Sequence, residues 1–185
     1  ANAGNLTGMD GIPGEVLDTM IVLQPGDIGA VTAAIEANDV AAVIIESTGA
    51  HMGGTPIHPD FLQEIRDVTT KYDVVFILDE VVTGFRTSKG GAQAYYGVTP
   101  DVTTMAKILG GGLPGGAVAG KADIINMIES RPGDAEYNRN RRISHNGTFN
   151  ANPLSAAAGI KALELVGTTP INATADAMAQ RLKDG

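Results

Sequence analysis

The chain has 185 residues, 43% of them hydrophobic, with a formal net charge of −8 and no cysteine. That acidity argues against a surface built for nucleic acid or an anionic membrane. Without cysteine there is no disulfide framework, no cysteine-ligated zinc and no thiol nucleophile. Length and apolar content suffice for one domain with a real core. No apolar run reaches the roughly 18 residues of a membrane span, and no basic-then-apolar leader opens the sequence, so a cytoplasmic or organelle-matrix setting is expected. Matches to Asn-x-Ser/Thr at Asn5, Asn146 and Asn172 are read as chance.

Residues 1–18 are rich in Gly, Asn and Asp and read as a loop, followed by a short strand at MIVLQP (20–25). Ile28, Val31, Ala34 and Ile35 repeat at helical spacing after Asp27, which predicts an amphipathic helix over 27–38. AAVIIE (41–46) is an apolar run of strand length, expected to be buried on both faces of a parallel sheet. Pro59 and Asp60 start a helix whose apolar stripe is Phe61, Leu62, Ile65 and Val68. Val74 to Asp79 is a further apolar strand that ends on a carboxylate.

Residues 80–100 hold glycines and only short elements. Residues 102–105 and 116–119 are β-compatible, 122–129 looks helical, and 130–140 reads as a polar loop. Asn152-Pro153 pairs an N-cap with a first-turn proline to open a helix over 153–166, stopped at Gly167, and a last helix covers about 173–183. Strands alternating with helices predict an α/β fold with a mostly parallel sheet and flanking helices. In such sheets ligands bind at the carboxyl edge of the strands. Asp79 ends one strand there, and Lys107 follows another just before Gly110-Gly111-Gly112. A carboxylate and an amine on one rim can hold two ends of one cofactor.

The motifs DEVVTGFR, GGAQAYYGVTPD, AKILGGGLPGG and NGTFNANPLSAAAG make this sequence resemble the class III pyridoxal-phosphate aminotransferases along nearly its whole length. The GFR…GGAQAYYGVTPD combination is most similar to the glutamate-1-semialdehyde 2,1-aminomutase branch of that family. The resemblance implies part of the large domain of a fold-type I enzyme, with pyridoxal 5'-phosphate as cofactor. It implies that Lys107 forms the Schiff base with the cofactor aldehyde and that Asp79 keeps the pyridine nitrogen protonated. Val81 would pack on the ring, and Thr148 would reach the phosphate of the neighbouring subunit, so the full-length protein is expected to be a homodimer. Glu46 and His51 would lie near the phenolic oxygen. Ser47 and His51 stand where the family commonly has proline and asparagine, and NGTFNANP replaces a GTLSGNP-like run.

The implied activity is internal exchange of an amino group, giving 5-aminolevulinate for tetrapyrrole synthesis. The alternatives are a class III transaminase using an ω-amine or amino acid with a 2-oxo acid, or a non-catalytic remnant of the fold. Both ends of the sequence look cut. The expectation is a partial large domain over 1–185, lacking an upstream phosphate cradle and a small C-terminal domain, and inactive by itself.

Competing readings of the same residues are weaker. GGAVAGK (115–121) fits a phosphate-loop spacing, but Ala122 stands where Ser or Thr would hold magnesium, and Ala-Val-Ala is strand-like. Asp79-Glu80 as the metal-binding edge of a nucleotide hydrolase weakens with that motif, and His51, His58 and His145 have no metal spacing. Tyr95 and Tyr96 read as packing residues.

Overall fold

A computed structural model describes residues 11–48 and 57–185. His51 lies outside the described residues. The chain divides into two compact units, Ala1–Phe76 and Ile77–Gly185.

The first unit holds a short helix α1 (Gly14–Leu17), helix α2 (Ile28–Ala37), strand β1 (Ala42–Glu46) and helix α3 (Phe61–Lys71). Asp27 caps α2 by accepting the Ala30 N–H at 2.9 Å, satisfying one of the first-turn donors that a helix leaves open. Val31 and Ile35 of α2 and Phe61, Leu62 and Ile65 of α3 are buried, as the helical spacing predicts, and the two helices pack together. Thr69 is buried among them because its hydroxyl donates to the Ile65 carbonyl at 2.7 Å. Tyr72, which caps the C-terminal end of α3, donates its hydroxyl to Glu36 of α2. The Lys71 ammonium donates to that phenol oxygen, which raises its pKa above the ordinary lysine value.

Three expectations fail in this unit, the first being the loop expected over 1–18, where Gly14–Leu17 form α1. MIVLQP is not a strand, because residues 21–24 find no partner backbone among the described residues, and a strand exists only through its ladder. β1 is a strand but is not buried on both faces. Ile44 is 62% exposed, so nothing described covers that side.

Strand β2 (Val75–Glu80) begins in the first unit, where the Val75 N–H donates to the Ala41 carbonyl at 3.1 Å. The rest of β2 lies in the second unit with β3 (Val102–Met105) and β4 (Ala117–Gly120), and hydrogen bonding orders the strands β1-β2-β3-β4. β2 and β3 are parallel, with Ile77 opposite Val102 and Asp79 opposite Thr104. β4 is antiparallel to β3, running from Met105↔Ala117 to Val102↔Gly120. The connection over 106–116 is too short for the helical crossover that a parallel neighbour needs, so the chain turns back.

The phosphate-loop-like GGAVAGK is thus a strand and its end. A Cβ on Gly120 would sit 2.4 Å from the Asp101 carbonyl oxygen. Lys121 donates its N–H to that same oxygen at 2.9 Å and pairs its ammonium with Asp101 Oδ1 at 2.6 Å.

The second unit adds helices α4 (Gly91–Tyr96), α5 (Ala122–Ile125, continued as a 3-10 turn over Asn126–Ile128), α6 (Ala135–Asn140), α7 (Pro153–Thr168) and α8 (Ile171–Asp184). α6 replaces most of the loop expected over 130–140. Asp134 caps it through the Tyr137 N–H at 2.9 Å, a signal masked in sequence by the preceding Pro-Gly. Asn152 caps α7 as expected, accepting from Leu154 and Ser155 at 3.0 and 3.1 Å. Gly167 does not stop that helix, which runs through it to Thr168. Asn172 is engaged in packing: its amide donates to the carbonyls of Phe85 and Arg86 at 3.0 and 2.8 Å.

Candidate active site

Alternation along β2 sends neighbouring residues to opposite faces of the sheet. Leu78 and Glu80 are buried on one face, while Ile77 and Asp79 are half-buried on the other. The acidic pair Asp79-Glu80 is therefore not one chelating edge, and no cluster of metal-binding side chains occurs among the described residues.

Glu80 is a scaffold residue. Its carboxylate, 1% exposed, accepts the Ala92 N–H at 2.6 Å, the Gln93 N–H at 3.3 Å, the Gln93 side-chain amide at 2.9 Å and the Thr83 hydroxyl at 3.3 Å. These are the open donors of the first turn of α4 and its surroundings. Gly91, at φ +70°, makes the approach possible, since a Cβ there would lie 2.3 Å from Glu80 Oε2. One buried carboxylate thus pins the segment that follows β2.

Asp79 is held differently. Its Oδ1 accepts both the Val81 N–H at 2.9 Å and the Thr104 hydroxyl at 3.3 Å. Among the described residues Oδ2 has no hydrogen-bond donor. The carboxylate is fixed by one oxygen and offers the other. Val81 is half-buried and serves Asp79 through its backbone.

Lys107 begins the 3-10 turn Lys107–Gly110 just beyond the end of β3. Because β2 and β3 are parallel, Asp79 and Lys107 lie at the same carboxyl edge of the sheet. The side chain is exposed and makes no ion pair or hydrogen bond among the described residues. Its backbone sits at φ +50°, a left-handed conformation that costs a non-glycine residue about 1–2 kcal/mol. Such strain persists where the surroundings over-determine it, and it concentrates at functional positions. Here the surroundings are backbone: Gly111 (φ +60°) abuts the Ala158 carbonyl of α7, and Gly159 of α7 abuts the Leu109 carbonyl.

Thr148 lies in the exposed turn that precedes α7, with its hydroxyl free of partners among the described residues. Glu46 is the half-buried last residue of β1, in the first unit. Asp79, Val81 and Lys107 are brought to one edge. Thr148 shares their unit. Sequence reasoning did not single out Thr104, the anchoring of Glu80, or the glycine contacts at 111 and 159. Of these, only Thr104 left a readable signal, because it stands on the strand that carries Lys107.

The model of the Aminotransferase class-III family matches residues 24–185. The glutamate-1-semialdehyde 2,1-aminomutase of Sulfolobus acidocaldarius is 42% identical over 162 residues, covering 88% of this chain and 36% of that protein. The enzyme of the same name from Methanococcoides burtonii is 43% identical over 179 residues, covering 95% and 40%. Among solved structures, an omega-transaminase from Sphaerobacter thermophilus superposes with a TM-score of 0.74 at 40% identity, covering 85% of this chain and 35% of that one. A transaminase with PLP bound gives a TM-score of 0.76 at 29% identity, covering 91% and 39%. The chain therefore spans between a third and two fifths of the length of these relatives.

Proposed function

The chain belongs to the class-III aminotransferase family, and on that premise we propose that it is the cofactor-bearing part of a pyridoxal-phosphate enzyme that moves an amino group. The observation that carries this reading is the parallel register of β2 and β3. It delivers an Asp79 carboxylate with one open oxygen and an unpaired Lys107 amine to the same edge.

These residues fit the group. Pyridoxal phosphate supplies an aldehyde that takes up amines and a cationic ring that stabilises negative charge developing on the adjacent carbon. Asp79 Oδ2 would accept the ring N–H and hold it protonated, while Val81 N–H and Thr104 keep the carboxylate in place. Lys107 Nζ would hold the aldehyde, and its amine would be placed to carry a proton to or from the reacting carbon. Val81 would lie against the ring. The Thr148 hydroxyl, in a turn that leads into a helix, suits a phosphate oxygen, and we assign it to the neighbouring subunit's cofactor. Glu46 and His51 are proposed as further cofactor contacts on resemblance alone.

The substrate reading is internal amino exchange in glutamate-1-semialdehyde, giving 5-aminolevulinate, in a cytoplasmic homodimer. The aminomutases at 42–43% identity support the exchange reaction. A second reading, transfer from an ω-amine or amino acid to a 2-oxo acid, is favoured by the omega-transaminase at 40% identity. In both readings the chain is proposed to be part of the large domain of a longer enzyme.

The test is to incubate the protein with the cofactor, reduce with borohydride and map the modified residue. Labelling at Lys107, lost in Lys107→Ala, is the expected result. Labelling confined to other lysines, or none, overturns the reading. In the full-length enzyme, turnover without any added amino acceptor then marks the aminomutase, and a strict need for a 2-oxo acid marks the transaminase.

A further inference from the structure

Helix α7 reaches the turn of Lys107 at a place where only glycine fits. A Cβ built on Gly159 would stand 2.4 Å from the Leu109 carbonyl oxygen, and one on Gly111 would stand 2.3 Å from the Ala158 carbonyl oxygen. In both cases the obstructing atom is backbone, so no side-chain rotation relieves the clash. Either the turn or the helix has to move. Gly159 is buried, and its own helix is capped by Asn152 and anchored through buried Val166, so the 3-10 turn is the softer partner.

Any shift of Leu109 passes directly to Lys107. The Leu109 N–H donates to the Ala106 carbonyl at 3.1 Å, closing a ring that contains Lys107. The next bonds, Gly111 N–H to Ile108 and Leu113 N–H to Gly110 at 3.0 and 3.1 Å, continue the same turn. The left-handed backbone at Lys107 is thus held between the end of β3 and the flank of α7.

We propose that Gly159 is a positioning residue for Lys107: by carrying no side chain, it lets α7 lock the strained turn on which the reactive amine is mounted. The proposal rests on Lys107 being the cofactor-binding lysine. The helix that braces the lysine turn is also the one that follows the Thr148 turn.

The test compares wild type, Gly159→Ala and Gly167→Ala, the last lying on the same helix with nothing within 4 Å of its added methyl. Two readouts are taken: amide hydrogen exchange of residues 107–113, and the rate of borohydride-trapped cofactor labelling at Lys107. In wild type the Leu109 and Gly111 amides are expected to be protected. In Gly159→Ala they are expected to exchange faster, with labelling slowed about tenfold, since small displacements of a reacting group cost large factors. Gly167→Ala is expected to change neither.

Wild-type labelling rates and exchange in folded Gly159→Ala would overturn the proposal. So would unprotected Leu109 and Gly111 amides in wild type, a result that needs no variant to fold. Absence of label at Lys107 in wild type would overturn the cofactor assignment instead, and amide exchange would still decide whether α7 locks the turn.

Discussion

Thr104 donates its hydroxyl to Asp79 Oδ1 at 3.3 Å across two parallel strands in register. The Val81 N–H donates to the same oxygen at 2.9 Å, so both fixed donors lie on one side of the carboxylate. The other oxygen is left for a donor that the strand ends do not supply.

Replacing Thr104 with Val keeps the β-branched shape and removes the hydroxyl. It is expected to cost about 0.5–1.5 kcal/mol in urea unfolding, the usual net value of one hydrogen bond. Cofactor binding, followed by absorbance, is expected to weaken, because Asp79 keeps only its backbone donor. Thr104→Ser is expected to restore binding.

Lys107→Gly separates chemistry from stability. The substitution removes the amine and hence all labelling at this position. It also relieves a left-handed backbone at φ +50°, so the chain is expected to lose no stability and to gain up to about 1 kcal/mol. Thermal unfolding alongside the labelling assay checks both halves.

Glu80→Gln presents an amide to a pocket lined by N–H and O–H donors. At least one donor loses its acceptor inside a buried site, for a cost of about 1–3 kcal/mol by urea unfolding. Gly91→Ala is expected to be worse still, since its methyl would meet Glu80 Oε2 at 2.3 Å on a backbone at φ +70°.

Gly167→Ala is expected to stabilise the chain by about 0.5–1 kcal/mol. The position is an exposed site in the last turn of α7 with open space around it, and its carbonyl remains available to the Lys89 ammonium that donates to it at 2.7 Å. A change in the opposite sense would place the helix end at Val166, as the sequence alone suggests.

The order of strands and helices was legible because each element carries its own periodicity or cap. Asp27, Asn152 and the stripe from Phe61 to Ile65 are local signals, and the structure follows them. The edge shared by Asp79 and Lys107 was legible too, since parallel strands carry their ends to one side. What escaped depends on partners distant in the chain. MIVLQP has strand composition but no ladder partner among the described residues, and β1 has the composition of a buried strand with no described cover over Ile44. Gly159 against Leu109 is a contact across fifty residues, and nothing in an alanine-rich helix announces it. Helix α6 was hidden for the opposite reason: strong turn residues just before it outweighed a modest cap.

Asp79 and Glu80 are joined by one peptide bond, yet the strand turns one toward the open rim and the other into the scaffold. A library that randomises the two codons together would therefore mix unrelated experiments. Failures at the second position would surface as insoluble or protease-sensitive protein, while those at the first would yield sound material with altered reactivity. Scoring colonies by colour or growth alone would credit both to chemistry, and an engineer retuning this rim for another substrate does better to leave the second codon untouched.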